Sequence, residues 1–501
     1  MLNYYSGLLA KYHYGNLEDA IIFFDKALNN PVSSADEDLN LTITLAKMEV
    51  LINQGKTDDA YNELEMLENK SSGAINKAKI YYFIGHIHFQ RNDNNSALNY
   101  ANKALDILNE SENNTLKEDI YNLLGNINIT NGEFIKAIHY YELTQNTTQS
   151  LQKKLVVNGN LAVLYSRSAK FRKAEESLNR TKELLKFLNS PIFEIAVKMS
   201  EYTILFEAGD YKNALNTAET VNRQALKIKN YLYISLSYQF LSECSYYLKN
   251  SEAADSYTAL ALKYINRDTG SESVLFDLIT IINRLNKTNA ESLVPKIEDV
   301  IKFLETNNSN YDKAIALYYL AKCYFLSGSE AASAKYINLT FNLAREKGYD
   351  AFFFREFMFD PEFFEFACKT SGLNKFEFLT PGDSLNETEL ISTEHKKSVN
   401  HFIENCYVLK MYLFGGLKFL YRGKEIPENK WIRKKRKLIL CYLLLENNKR
   451  LSKDRIVDIF FPDTPLESID NTFHQAVSNI RSVLKSETPG KTKESKKKYR
   501  F

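Results

Sequence analysis

Gly132-Glu133-Phe134-Ile135-Lys136-Ala137 decides the reading of this chain, because the same six-residue pattern returns along it. It stands as Gly15-Asn16-Leu17-Glu18-Asp19-Ala20, as Gly55-Lys56-Thr57-Asp58-Asp59-Ala60 and as Gly209-Asp210-Tyr211-Lys212-Asn213-Ala214. Weaker copies end at Ala97, Ala174, Ala254 and Ala334. Successive alanines from 20 to 254 lie 40, 37, 40, 37, 40 and 40 residues apart, and a last gap of 80 leaves room for one degenerate copy near Val294. A fixed period of this size marks a repeat array in which each unit is one supersecondary element. Nine units of about 40 residues fill the first 350 positions. In each, a helix ends at a Gly or polar turn that can take the left-handed conformation, and a second helix opens with a small Ala that lets the pair pack closely.

Tyr, Phe and Leu flank these points, as in Ile80-Tyr81-Tyr82-Phe83-Ile84-Gly85 and Ala316-Leu317-Tyr318-Tyr319-Leu320-Ala321. Aromatics at helical spacing read first as packing between helices, and only second as a stacking or carbohydrate surface. The pattern resembles the tetratricopeptide repeat in the longer form found in MalT-like regulators. That resemblance implies a mainly α protein: a right-handed α-solenoid of about nine hairpins over 1–348, whose concave face takes a peptide, a protein or a small effector.

From Tyr349 the pattern changes. Phe352, Phe353, Phe354, Phe357, Phe359, Phe363, Phe364 and Phe366 crowd around Pro361. Residues 349–379 are therefore expected to form an aromatic-rich helical cap on the last open face of the array, and 380–405, with Pro381-Gly382-Asp383, a linker.

Beyond it the charge changes sign. Residues 406–501 carry 22 Lys and Arg against 10 Asp and Glu, whereas the rest carries 42 against 52. An acidic body with a basic end fits one part that avoids nucleic acid and one that seeks it. The run Lys430 to Lys437 holds six basic residues in eight and leads into the apolar Leu438 to Leu445. Leu451-Ser452-Lys453-Asp454-Arg455-Ile456 follows as a second helix capped by Ser452, ending before Pro462. A third helix from about Leu466 to Lys485 has an apolar stripe of Ile469, Phe473, Val477, Ile480 and Leu484. Its other face is polar, with amide, hydroxyl and guanidinium groups suited to base edges.

Taken in order, Leu413-Phe414-Gly415-Gly416-Leu417, Gly423-Lys424-Glu425-Ile426, Trp431 with its basic cluster, Phe460-Phe461-Pro462-Asp463 and Val477 to Leu484 resemble the winged-helix DNA-binding domain of SARP-type activators, relatives of the OmpR-type domain. The resemblance implies a domain over 406–501 that binds double-stranded DNA, with RNA polymerase as a further partner. Asn471, His474, Gln475, Ser478 and Arg481 would face bases; Arg433, Lys434, Lys435, Arg436, Lys437 and Lys453 would face phosphates. Two departures stand out. The basic stretch Ser486 to Lys498 occupies the place of the wing, so the wing is expected to be incomplete, and the helical part precedes the DNA reader instead of following it.

Other chemistry has no support in the sequence. There is no phosphate loop, no Gly-x-Gly-x-x-Gly after a strand and no Cys-x-x-Cys. His86 and His88 project about 200° apart around one helix and cannot both face one metal. No enzyme activity, cofactor or metal is expected. Five scattered cysteines fit reduced thiols, and no apolar run approaches the ~18 residues of a membrane span, so a cytoplasmic protein without membrane contact is expected. The sequence thus points to a transcriptional regulator whose solenoid senses an effector. The alternatives are an interaction scaffold whose winged helix leaves DNA alone, and a truncated remnant of such a regulator.

Overall fold

The computed structural model describes residues 2–12, 16–30, 36–70, 73–108, 114–188, 190–264, 270–285, 289–371, 381–406, 409–413, 416–421, 424–445 and 451–486. They fall into two compact units, 1–393 and 394–501.

The first unit is a run of antiparallel hairpins: α1/α2 (Leu2–Tyr12, Leu17–Leu28), α3/α4 (Glu37–Asn53, Thr57–Lys70), α5/α6 (Ala74–Gln90, Asn94–Leu108), α7/α8 (Asn114–Thr130, Phe134–Thr147), α9/α10 (Leu151–Arg167, Phe171–Leu185), α11/α12 (Pro191–Glu207, Tyr211–Ile228), α13/α14 (Tyr231–Tyr247, Ser251–Lys263), α15/α16 (Gly270–Arg284, Val294–Thr306) and α17/α18 (Asn310–Leu326, Glu330–Lys347). Each helix packs on its hairpin partner, and odd-numbered helices also touch one another, as α9 does α11. The odd helices form the inner layer.

Local chemistry sets this geometry. The three-residue turn inside a hairpin has a left-handed middle residue: Gly55, Asn92, Gly132, Ala169, Gly209, Lys249 and Gly328 all have positive φ. The next N–H then reaches back to a carbonyl of the first helix, as Glu133 to Asn128 (2.8 Å) and Lys170 to Tyr165 (2.8 Å), satisfying groups the helix end leaves open. Four residues into the second helix comes the recurring alanine. Ala20, Ala60, Ala97, Ala137, Ala174, Ala214 and Ala254 are all 0% exposed, so a longer side chain at any of them would push the layers apart.

The degenerate eighth copy puts Ile297 at this position, also buried. In the ninth the equivalent residue is Ser333, one place before the expected Ala334; it is buried and donates its hydroxyl to the Ala321 carbonyl (2.8 Å). That internal bond is what lets a serine stand in for alanine.

The aromatic segment forms α19 (Asp350–Phe359) and α20 (Pro361–Ser371), burying Phe352, Phe353, Phe354, Phe357, Phe363 and Phe364. Only part of it is a cap. Helix α20 packs on α18, but α19 crosses to α9 and α11, so the array closes on itself. Asn310 Nδ2 donates to the Asn131 carbonyl (2.9 Å), Tyr349 hydroxyl to the Gly132 carbonyl (2.7 Å), and Lys347 pairs with Glu133 (2.6 Å). Gly132 is fixed twice over: its φ is +71°, and a Cβ there would lie 2.5 Å from the Tyr349 hydroxyl oxygen.

Residues expected as linker are structured instead. Helix α21 (Pro381–Asn386) and the segment after it lie on α10 and α12, with Leu385, Thr388 and Ile391 buried. The Glu175 carboxylate accepts the Glu389 N–H (2.9 Å), and Asp210 accepts the Ser392 N–H (3.1 Å) and hydroxyl (2.9 Å).

The second unit opens in α22 (Thr393–Cys406), whose first residue still belongs to the first unit, followed by an antiparallel sheet of β1 (Leu409–Tyr412), β2 (Lys418–Tyr421) and β3 (Lys424–Glu425) in that order, with Leu409 opposite Tyr421 and Leu420 opposite Glu425. Helices α23 (Lys434–Leu445), α24 (Lys453–Phe460) and α25 (Leu466–Ser486) complete it. Phe419, Trp431, Ile439, Ile456, Ala476 and Ile480 share one core. Ser452 caps α24 as expected, accepting the Arg455 N–H (3.2 Å). The place of the wing, 487–501, lies outside the described residues.

Candidate binding channel

Inner helices α7, α9, α11 and α13 face α16 and α17 across a cavity of about 670 Å3, a size typical of ligand sites. Its apolar lining includes Leu155, Val163, Val197 and Phe240, and its polar lining includes Asn94, Asn160, Arg167, Gln239 and Asp312. Asn94 is buried and donates to Asn131 Oδ1 (2.9 Å), while its own Oδ1 accepts nothing. Asn160 donates to the Tyr141 hydroxyl (3.1 Å), which donates to Asn126 Oδ1 (2.6 Å). Such a relay fixes the amide for recognition. Asp312 accepts from the Ser309 hydroxyl (2.7 Å), and burial raises its pKa.

Arg167 lies at the deep end, over the Tyr311 ring (4.8 Å) and 3.9 Å from Glu207. Glu207 is the junction of this region. It takes Arg355 of α19 at 2.6 Å and the Tyr311 hydroxyl at 3.2 Å, and both charged side chains of the Glu207–Arg355 pair are 4% exposed. Burial opposes the Arg355 charge most, and Glu207, Tyr247, Tyr311 and Glu356 together more than offset it, so its pKa is raised. Next in sequence, Glu356 accepts from the Tyr247 and Tyr319 hydroxyls, and burial raises its pKa. A side chamber of about 170 Å3, also lined by Arg167, lies between α11, α13, α15 and α17.

None of Arg167, Glu207, Glu243 or Arg355 stood out in the sequence. The available signal was Arg355-Glu356 set inside a run of phenylalanines, because charges survive in such a run only when paired.

The residues expected to meet DNA lie in the second unit. Asn471, His474, Gln475, Ser478 and Arg481 are all exposed along α25. The stripe behind them is shifted from expectation: Ala476, Ile480 and Val483 are buried, with Phe473 and Leu484 packed beside them. Arg433, Lys434 and Lys435 are exposed and Arg436 is half-buried. Lys435 Nζ also donates to the Phe460 carbonyl (3.0 Å). Lys437 does not fit the expected role: it is 6% exposed and ion-paired with Glu428, because its place on α23 turns it toward the core. Lys453 pairs with Asp470. His86 stacks on Tyr82 of its own helix, whereas His88 stacks on Tyr100 of the next helix and is bonded to Asp93 (3.1 Å). Cys244, Cys323, Cys368 and Cys441 are buried and in no disulfide. Among the described residues no helix is long and apolar enough to cross a membrane.

Comparison with known proteins bears on the repeats. Residues 78–107 match the tetratricopeptide repeat family. No curated protein matches the sequence. A Rap protein complexed with Competence and Sporulation Factor is similar in structure at 13% identity, over 69% of this chain and 98% of that one, with a TM-score of 0.52. The apo form of the quorum sensor NprR from B. thuringiensis is similar at 15% identity, over 68% of this chain and 97% of that one, with a TM-score of 0.50. At these identities the likeness is one of fold: the chain carries a tetratricopeptide-type helical-repeat solenoid.

Proposed function

We propose that this chain is a non-catalytic receptor or scaffold that takes an extended peptide, or a short segment of a partner protein, into the channel of its solenoid. The observation that carries this reading is the cavity itself. Fixed amides and one arginine share its lining with apolar side chains, an arrangement that pairs a backbone while burying alternate side chains. The similar Rap structure holds a factor and NprR is named a quorum sensor, which supports the same use of the fold here. The test is selection from a random peptide display library on the full chain, repeated with Val163→Trp to fill the channel. Peptides enriched on the wild type and lost on the folded variant are expected. Enrichment that survives the filling would refute the channel as the site.

A second reading, DNA binding by the second unit, is favoured by one observation: five side chains able to read bases stand exposed on α25, with Arg433, Lys434 and Lys435 exposed nearby. It would make the chain a transcriptional regulator, with RNA polymerase as a further partner. Fluorescence anisotropy of labelled duplex across a salt series should show a log–log slope of about 0.9 per phosphate contacted. Arg436→Ala should weaken all duplexes alike, and Gln475→Ala should flatten preference at one base pair, by ~1–3 kcal/mol. No binding at low salt by the full chain would leave the scaffold alone.

A further inference from the structure

The side chamber lined in part by Arg167 already shows how this protein holds a guanidinium. Arg355 lies over the Phe206 ring (4.6 Å) and the Tyr247 ring (5.3 Å), with the Glu207 carboxylate at 2.6 Å. Carboxylate and aromatic faces come from neighbouring inner helices, α11 and α13.

The same elements recur on the other side of the chamber. Glu243 of α13 stands beside the stacked rings of Tyr202 and Phe240, whose centroids are 4.0 Å apart. Its oxygens accept from the Tyr202 hydroxyl (3.0 Å) and from Gln239 Nε2 (3.0 Å). Among the described residues no Lys, Arg or His nitrogen comes within 4.0 Å of it. Tyr246 also lines the chamber and is 6% exposed, so the wall around Glu243 is aromatic and largely closed to solvent.

We infer that this chamber is a binding site for one amine or guanidinium group, with Glu243 as counter-ion and the Tyr202 and Phe240 rings as its wall. The inference rests on the channel being the ligand site, since Arg167 lines both. At about 170 Å3 it admits the end of one chain and no folded segment. The cation comes either from a Lys or Arg side chain of a bound peptide or from a free amine. Rings beside a carboxylate hold such a group by cation–π and Coulomb attraction in a desolvated place, where both are strong.

Charge balance gives the binding a signature. Burial raises the Glu243 pKa, and nearby Glu207 pushes the same way, while the Gln239 and Tyr202 donors and Arg355 oppose them. The free chamber thus holds a carboxyl that takes up a proton more easily than one in water, and an entering cation favours its ionised form, releasing whatever proton it holds.

Isothermal titration of the full chain with agmatine, and separately with N-acetyl-arginine amide, tests this. Run at one pH in Tris and in phosphate, wild-type binding should give heats that differ with the buffer, reporting the released proton. Agmatine alone binding assigns a free amine; the capped arginine binding assigns a peptide side chain. Glu243→Gln should weaken either at least tenfold with an unchanged circular dichroism spectrum, and Glu176→Gln, on the outer surface, should not. If Glu243→Gln fails to fold, Phe240→Leu takes its place, with a weakening of threefold or more expected. Equal affinity in wild type and variants overturns the inference, as does the absence of binding by both cations. Library peptides free of Lys and Arg that bind wild type and Glu243→Gln equally would also overturn it while sparing the channel; cation binding without any selected peptide would spare the chamber and sink the channel reading.

Discussion

Lys249 occupies the left-handed turn position that Gly55, Gly132, Gly209 and Gly328 fill without strain, at a φ of 61°. A side chain there costs about 1–2 kcal/mol relative to glycine, partly offset by the greater freedom of unfolded glycine. Lys249 is exposed and makes no packing contribution that the change would remove. Lys249→Gly should therefore stabilise the protein by ~0.5–1 kcal/mol in urea denaturation. A loss of stability would show that the lysine serves another purpose. At this scale the sequence was most legible where one residue type has one reason to recur, as with the buried alanines. It was least legible where a charge could face either way. Lys437 sits in a run of five basic residues, and nothing in the run says that it alone turns inward to Glu428.

Among elements, α19 departs furthest from expectation. Its phenylalanines announced a buried helix, but not that it would cross to α11, because the partner of Arg355 is 148 positions away. Pairings at such separation leave no local periodicity to read. The pair also carries a measurable claim. Arg355→Met would leave the Glu207 charge buried without its main counter-ion and should cost ~3–5 kcal/mol. Adding Glu207→Gln should recover much of that loss, so that the double variant is far more stable than the two single losses predict. Additive losses in urea denaturation would mean that the two residues act independently. The segment 381–392 was missed for a related reason: its polar composition reads as a linker, yet its backbone N–H groups are the ligands of Glu175 and Asp210.

Taken whole, the repeat unit was legible because its period is written into seven alanines, whereas its closure and channel were not, being made of contacts between distant repeats. Burial of Glu243 contributes a pH dependence opposite in sign to that of ordinary salt-bridged carboxylates. Glu243 has a folded pKa above its unfolded value of 4.5, so the folded state holds the extra proton. The stability this contributes is present below pH 4.5 and lost as pH rises through the folded pKa. Glu243→Gln should melt close to wild type near pH 4.5 and increasingly above it toward neutrality. A gap that stays constant with pH would show that the carboxyl does not titrate in the folded protein.

One regularity of the hairpins has a bearing on how such an array can change. The inner helices α3, α5, α7, α9, α11, α13 and α17 are all 17 residues long, and each is followed by a turn of three. The spacings of 37 and 40 therefore differ only between the start of an outer helix and the start of the next inner one. The inner helix with its turn behaves as a casting of fixed gauge, and the outer helix and its connection as the adjustable joint. Insertions, permuted termini or grafted units should be tolerated at those joints and rejected inside the casting, where one added residue would swing the buried alanine about 100° out of the seam.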